Sequence, residues 1–142
     1  MKKVKVWVGC DHAGFDLKQQ LMQKFNEIDW SDVGTDRSDV SVDYPDFATK
    51  VALAIKDHPD DFGLLICGSG QGMVIKANRS PWVRAALCWS EEAAKLSRAH
   101  NNANVLCLAA RLVDATTNEK ILSTFVTVSF EGGRHQTRVN KL

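Results

Sequence analysis

Phe62-Gly63-Leu64-Leu65-Ile66-Cys67-Gly68-Ser69-Gly70-Gln71-Gly72 decides how this chain folds. The first six residues form a short, unbroken apolar run, the pattern of a strand buried on both faces. Three glycines in five residues follow, and then Met73 and Val74 begin a helical stretch. A buried strand, a glycine turn and a helix make the repeating unit of a parallel sheet covered by crossover helices. The turn lets the backbone approach a ligand closely and points N–H groups at an anion. That anion is either a phosphate or the oxyanion of a reaction intermediate, and the plainer alternative is a tight strand-to-helix turn with no ligand.

Three better-known loops do not fit. G-x-G-x-x-G and the thiol phosphatase loop C-x₅-R both need their last residue at position 73, which is Met73, and the G-x-x-x-x-G-K-[ST] loop lacks its lysine. Cys67 ends the strand and heads the turn. A thiol at a helix N-terminus is a competent base or nucleophile, although a free cysteine is more often a small buried hydrophobe. Cys88 and Cys107 lie inside apolar runs and read as that second kind. Cys10 stays open between the two.

Outward from this unit, further β-rich runs occupy Val4–Val8, Ile28–Val33, Val83–Cys88 and Asn104–Leu108. Helical spacing links Leu17, Leu21, Met22 and Phe25, and again Phe47, Val51, Ala54 and Ile55. Ser90 before Glu91 and Glu92 starts a helix that ends near Arg98 and His100. Ile121, Leu122, Phe125 and Val128 mark a last helix, stopped by Gly132-Gly133 and followed by a basic tail. The prediction is an α/β, Rossmann-like three-layer sandwich with a five-stranded parallel sheet in the order 2-1-3-4-5. A ligand then binds where the strand order reverses, between strands 1 and 3. That junction brings Cys10-Asp11-His12-Ala13-Gly14 towards the turn at Cys67.

The 142 residues form one domain, long enough to bury roughly 68–70% of the unfolded surface. A net charge of +1 with mixed signs calls for neither nucleic acid nor an acidic membrane. No stretch nears the ~20 apolar residues of a membrane span. The opening Met1-to-Val8 segment is too short for a signal peptide, being broken at once by Gly9 to His12, and reads as a strand. The four cysteines make no C-x-x-C pair and no zinc spacing, so reduced thiols in the cytoplasm and no metal are expected.

Other polar residues draw attention. Asp11-His12 follows strand 1, where a polar pair has little structural purpose. His58 reads as a solvated loop residue. His100 closes a helix, and Asn101, Asn102 and Asn104 around it suggest a hydrogen-bonding site. Arg134 and Arg138 are four apart, so a helical tail projects both from one face, either as a phosphate fork or as a solvated surface. Tyr44, the one tyrosine, precedes Pro45 and is expected in extended backbone, presenting its ring to a cleft.

Taken together, Gly9-Cys10-Asp11-His12-Ala13-Gly14, Asp43-Tyr44-Pro45, Ile66-Cys67-Gly68-Ser69-Gly70-Gln71-Gly72, Lys76-Ala77-Asn78, His100-Asn101-Asn102-Ala103-Asn104-Val105 and Phe130-Glu131-Gly132-Gly133-Arg134-His135-Gln136 resemble the type B ribose-5-phosphate isomerases, a family that includes the galactose-6-phosphate isomerase subunits. The resemblance covers nearly the whole chain. It implies interconversion of ribose 5-phosphate and ribulose 5-phosphate with no metal or organic cofactor. It implies that Cys67 moves the proton, that His100 assists ring opening with Asp11 nearby, and that Ser69 shuttles protons between the two oxygens. It gives the N–H groups of Gly68, Ser69, Gly70, Gln71 and Gly72 to the enediolate, Asn101 and Tyr44 to the sugar, and His12, Arg111, Arg134 and Arg138 to the phosphate. Some relatives carry a glutamate base where this chain has Met73, so this chain resembles the cysteine type. A homodimer or homotetramer with shared sites is implied, with the 130–142 tail packing on a partner subunit. A six-carbon sugar phosphate, such as allose or galactose 6-phosphate, is the alternative substrate. A non-catalytic sugar-phosphate sensor is the alternative class.

Overall fold

The computed structural model describes residues 3–142; Met1 and Lys2, in the segment read as an opening strand, lie outside it. The chain runs β1 (Lys5–Cys10), a 3₁₀ turn (His12–Gly14), α1 (Phe15–Lys24), β2 (Asp29–Asp32), α2 (Tyr44–Asp57), β3 (Phe62–Cys67), α3 (Gln71–Ala77), β4 (Ala85–Leu87), α4 (Glu91–Asn101), β5 (Val105–Ala109), α5 (Ala115–Thr127) and α6 (Arg134–Val139). All five strands pair in parallel.

The sheet order is β2-β1-β3-β5-β4, which corrects the expected 2-1-3-4-5 at its far edge. Every residue of β5, Val-Leu-Cys-Leu-Ala, is buried, whereas the three residues of β4 are all half-buried. A strand with no exposed residue needs neighbours on both sides, and a short, partly wet strand suits an edge. β5 therefore enters between β3 and β4. The reversal between β1 and β3 is unaffected, and the Rossmann-like class holds.

Side chains alternate across each strand and build two cores. Leu64, Ile66, Leu106 and Leu108 face Leu17 and Leu21 of α1, Ala94 of α4, and Ile121, Leu122 and Phe125 of α5. Leu65, Cys67, Val105 and Cys107 face Ala48, Val51, Ala52 and Ile55 of α2 and Met73 and Ala77 of α3. Each large apolar side chain so buried is worth about 1.5–3 kcal/mol against exposure. The buried stripe of α2 is turned slightly from the expected one, with Ala48 and Ala52 buried in place of Phe47 and Ala54.

Several local readings hold, and three change. Ser90 caps α4, its Oγ accepting from the Ala93 N–H at 3.1 Å, a cap worth about 1 kcal/mol. The helix ends on Asn102 in left-handed backbone, φ 48°. Tyr44 does not lie in extended backbone: it opens α2 with Pro45 in the first turn, where a missing N–H costs nothing. The last apolar helix, α5, ends at Thr127, before Gly132-Gly133. Those glycines, at φ 70° and 55°, instead turn the chain into α6, so the basic tail is helical.

Candidate active site

Pairing of β1 with β3 sets the carboxyl ends of both strands side by side, with Cys10 opposite Ile66 and the Asp11 N–H reaching the Ile66 carbonyl at 3.3 Å. A cleft of about 530 Å³ opens there, lined by Asp11, His12, Ala13, Tyr44, Cys67, Gly68, Ser69, Gly72, Arg111 and Leu112. Eight of these are residues expected at the site: the structure brings Asp11, His12, Tyr44, Cys67, Gly68, Ser69, Gly72 and Arg111 together.

Cys67 is the last residue of β3 and only 5% exposed. Its Sγ accepts a hydrogen bond from the Gly70 N–H at 3.2 Å. Gly70 makes this possible by adopting φ 76°, open to glycine and strained for other residues. Ser69 Oγ accepts from the Gln71 N–H at 3.2 Å. The Gly70 and Gln71 amides are thus spent on the thiol and the hydroxyl. Neither residue lines the cleft: Gly70 lies against Leu87 and Leu108, and Gln71 is exposed.

Tyr44 reaches the turn from α2, and its ring lies flush on Gly72, where any Cβ would overlap it. Arg111 arrives from the loop after β5. Its N–H donates to the Gly68 carbonyl at 2.9 Å, the Ala110 N–H donates to the Cys67 carbonyl at 2.9 Å, and its side chain lies along Gly68. The central position of β5 is what delivers this arginine next to Cys67.

Asp11 has a structural duty that its sequence position does not announce. Its Oδ1 accepts from the Ala13 and Gly14 N–H groups at 3.0 and 3.2 Å, capping the 3₁₀ turn that carries His12. His12 Nδ1 accepts from the Val42 N–H at 3.2 Å, so the neutral ring carries its proton on Nε2. Val42 was missed by sequence reasoning; a contact across 30 residues leaves no local signal.

The other thiols are structural. Cys10 is fully buried, and burial pushes it from 9.0 to about 11 despite the nearby Lys18 ammonium. Burial also lifts Cys88 to about 11 and Cys107 well above its ordinary range. Met73 is fully buried among α2 and α3 residues.

His100, Asn101, Arg134 and Arg138 lie elsewhere. α4 returns the chain to the amino end of β5, whereas Cys67 sits at the carboxyl end of β3. Gly63 pairs with Val105 and Cys67 with Ala109, so the two ends are four residues apart, about 13 Å of strand. At that far end, His100 stacks on His135 with ring centroids 4.1 Å apart and planes 11° apart. His135 Nε2 is 3.4 Å and His100 Nε2 3.8 Å from Glu131 Oε1. Partial burial and the neighbouring His100 and Arg134 hold His135 below its usual pKa. Glu131 and His135 carry a legible signal, being four residues apart beside the arginines.

Arg134 and Arg138 follow one another on α6, with Arg138 Nη1 donating to the Arg134 carbonyl at 2.9 Å. Asn101 lines a separate cleft with Arg84, Val139 and Leu142. Asn102 and Asn104 do structural work. Asn104 Oδ1 accepts from the Arg84 N–H at 2.7 Å and its Nδ2 donates to the Trp82 carbonyl at 2.9 Å, tethering the approach to β4. The expected cluster of asparagines is therefore largely scaffold.

Known proteins resemble this chain in sequence and in fold. The family described as Ribose/Galactose Isomerase matches residues 6–142. A probable ribose-5-phosphate isomerase B of Mycoplasma genitalium is 44% identical over 140 residues, covering 96% of this chain and 92% of its own. Ribose-5-phosphate isomerase B of Escherichia coli is 40% identical over 140 residues, covering 97% and 93%. Among solved structures, a ribose 5-phosphate isomerase of Thermotoga maritima superposes with a TM-score of 0.94 at 44% identity, covering 99% of this chain and 97% of that one. The Mycoplasma genitalium enzyme with bound ribulose-5-phosphate superposes with a TM-score of 0.93 at 42% identity, covering 99% and 95%. With a parallel sheet that converges Cys67, Asp11 and His12 at its switch point, and with relatives matched along nearly their full lengths, this chain belongs to the ribose/galactose isomerase family.

Proposed function

We propose that this protein is an aldose–ketose isomerase that interconverts ribose 5-phosphate and ribulose 5-phosphate, with Cys67 as the base. The observation that carries this reading is the Cys67 thiol, held by the Gly70 N–H at the floor of a cleft that also contains Asp11, His12, Ser69, Tyr44 and Arg111. The structure of a relative with bound ribulose-5-phosphate supports a five-carbon substrate.

In the proposed reaction the Cys67 thiolate takes the C2 proton of the open-chain aldose. The C2–H electrons form the C1–C2 double bond, and the carbonyl electrons move to O1, giving an enediolate. Ser69 Oγ relays a proton between O2 and O1. The thiol then returns its proton to C1, leaving the ketose and a thiolate ready for the next turn. Such proton transfer by a positioned side chain contributes about 10²–10⁴-fold. His12 and Arg111 at the cleft rim are suited to the phosphate, Arg111 by its fork of donors. Tyr44, packed on Gly72, would contact the sugar.

His100, for ring opening, Asn101, for the sugar, and Arg134 and Arg138, for the phosphate, would come from a second copy of the chain, because their own copies lie at the opposite end of the sheet. The assembly would be a homodimer or a pair of dimers, with the 130–142 tail on the partner. Four free, buried cysteines suit a reducing cytoplasm. No helix among the described residues is long and apolar enough to cross a membrane.

Incubation with ribose 5-phosphate in D₂O, followed by NMR, tests the reading. Formation of ribulose 5-phosphate, with solvent deuterium entering at C1, is expected. Binding without exchange or turnover would instead identify a sensor, and faster turnover of allose or galactose 6-phosphate would move the substrate to six carbons.

A further inference from the structure

Among the described residues, His100, Glu131 and His135 form a group whose ligand-type atoms all lie within 4.8 Å of one another. We propose that this group is a site for a divalent transition metal of the zinc class, and that loading it switches the enzyme off by capturing the His100 imidazole. The inhibition rests on the role given to His100 above; the binding does not.

The donor set suits zinc. Two imidazoles and one carboxylate, with a fourth position open to water, form a common zinc environment. Bonds of about 2.0–2.1 Å in a tetrahedron put neighbouring donors about 3.4 Å apart. His135 Nε2 and Glu131 Oε1 are already separated by 3.4 Å, and His100 Nε2 lies 3.8 Å from the same oxygen. Magnesium and calcium prefer oxygen ligands and would be disfavoured by two ring nitrogens.

The backbone holds the three residues in place before any ion arrives. The Glu131 N–H donates to the Ala99 carbonyl at 3.0 Å, which ties the carboxylate-bearing residue to the end of α4 beside His100. The His135 N–H donates to the Gly132 carbonyl at 3.0 Å, which fixes the turn into α6 and sets His135 four residues beyond Glu131. One adjustment is required. Lone pairs in two nearly parallel rings do not converge on a point, so the rings must splay apart on loading. In the single chain the His100 side chain is 36% exposed and that of Glu131 57%, so neither side chain's own fold blocks the movement.

The chemical consequence follows from the atom used. A metal on His100 Nε2 blocks that nitrogen from giving or taking a proton, while Cys67 and its turn, at the other end of the same chain, are left untouched.

Titration of the metal-free full-length protein with Co²⁺ alone, followed in the visible spectrum, and then with Zn²⁺ by competition against a chromophoric chelator, tests the site. One equivalent per chain with the intense bands of tetrahedral Co²⁺ is expected. His135→Ala should weaken binding by more than the ~10–100-fold typical of losing a ligand's outer hydrogen-bond partner. Cys67→Ser and His58→Ala should leave binding unchanged. Zn²⁺ should inhibit turnover, with reversal by EDTA and resistance in His135→Ala judged against that variant's own metal-free rate. Absence of saturable Co²⁺ binding, or binding that survives His135→Ala and falls in Cys67→Ser, would overturn the site. Saturable binding at the site without inhibition would overturn the switch. Binding as described in a protein with no isomerase activity would leave the metal site standing and remove the proposed reaction.

Discussion

The Gly70 N–H points at the Cys67 sulfur from 3.2 Å. This one contact joins the strand that buries the thiol to the turn that serves it. It also places a partial positive charge beside the atom that carries negative charge in the proposed reaction. Cys67→Ala is therefore expected to lower kcat/KM by about 10²–10⁴-fold, with substrate binding retained. Cys67→Ser keeps an acceptor for the Gly70 amide, so its fold should be intact and its turnover still poor. Steady-state kinetics beside a thermal melt separates the two effects. Near-normal turnover in either variant would remove Cys67 as the base.

Gly72 and Tyr44 form a matched pair. A Cβ at position 72 would overlap the Tyr44 ring, so Gly72→Ala should destabilise by about 1–3 kcal/mol, as overpacking does. Tyr44→Ala in the same chain should recover most of that loss, because it vacates the space. Urea denaturation of both single variants and the double variant measures the coupling. Independent, additive losses would show that the ring does not rest on the turn in solution.

Lys18 is only 1% exposed, yet it carries a charge. Its ammonium donates to Asp32 Oδ2 at 2.7 Å and to the Thr35 carbonyl at 2.8 Å, holding the chain after β2 over Cys10. Lys18→Ala removes both bonds and opens a cavity, and a loss of about 3–5 kcal/mol is expected. Lys18→Met fills the space without the charge and should lose less. Equal losses in chemical denaturation would mean that the ammonium's two bonds, not packing, hold the loop, and no loss in Lys18→Met would mean the reverse.

Alkaline pH should weaken the fold through its buried thiols. Cys10 and Cys88 titrate near 9 when unfolded but about 11 in the native protein. Between those values the unfolded chain has released protons that the native chain retains. Stability is then lost as pH rises from about 9 towards about 11. Denaturation midpoints across that range should fall, and fall less steeply in Cys10→Ala and Cys88→Ala. Equal slopes in all three proteins would point to other groups.

The proposed sharing of sites between two copies makes a prediction that a self-contained chain cannot meet. Cys67→Ala and His100→Ala should each be nearly inactive. Mixed by co-refolding, they should regain about a quarter of wild-type activity, since half of random dimers are mixed and each mixed dimer has one intact site of two. No recovery in verified mixed dimers would place a complete site within one chain.

Much of this was legible in the sequence because it is locally encoded. The unbroken apolar run at 62–67, the glycines after it and the Ser90 cap each specify their own conformation through side-chain period and turn chemistry. The exchange of β4 and β5 was also visible in part: Arg84 interrupts one apolar run, while the residues of β5 have no such break. What could not be read were the partnerships. Asp11 as a cap, Tyr44 on Gly72, and Val42 on His12 depend on which surfaces meet after folding.

The sequence by itself determined a parallel α/β chain with a thiol at a glycine turn, since hydrophobic period and backbone freedom are properties of neighbouring residues. Only the tertiary structure decided that β5 lies beside β3 and brings Arg111 to Cys67, while α4 carries His100 to the opposite end of the sheet. The physical reason is burial. A strand with no exposed residue takes the centre, a half-buried one takes the edge, and every loop residue is delivered wherever that competition leaves its strand.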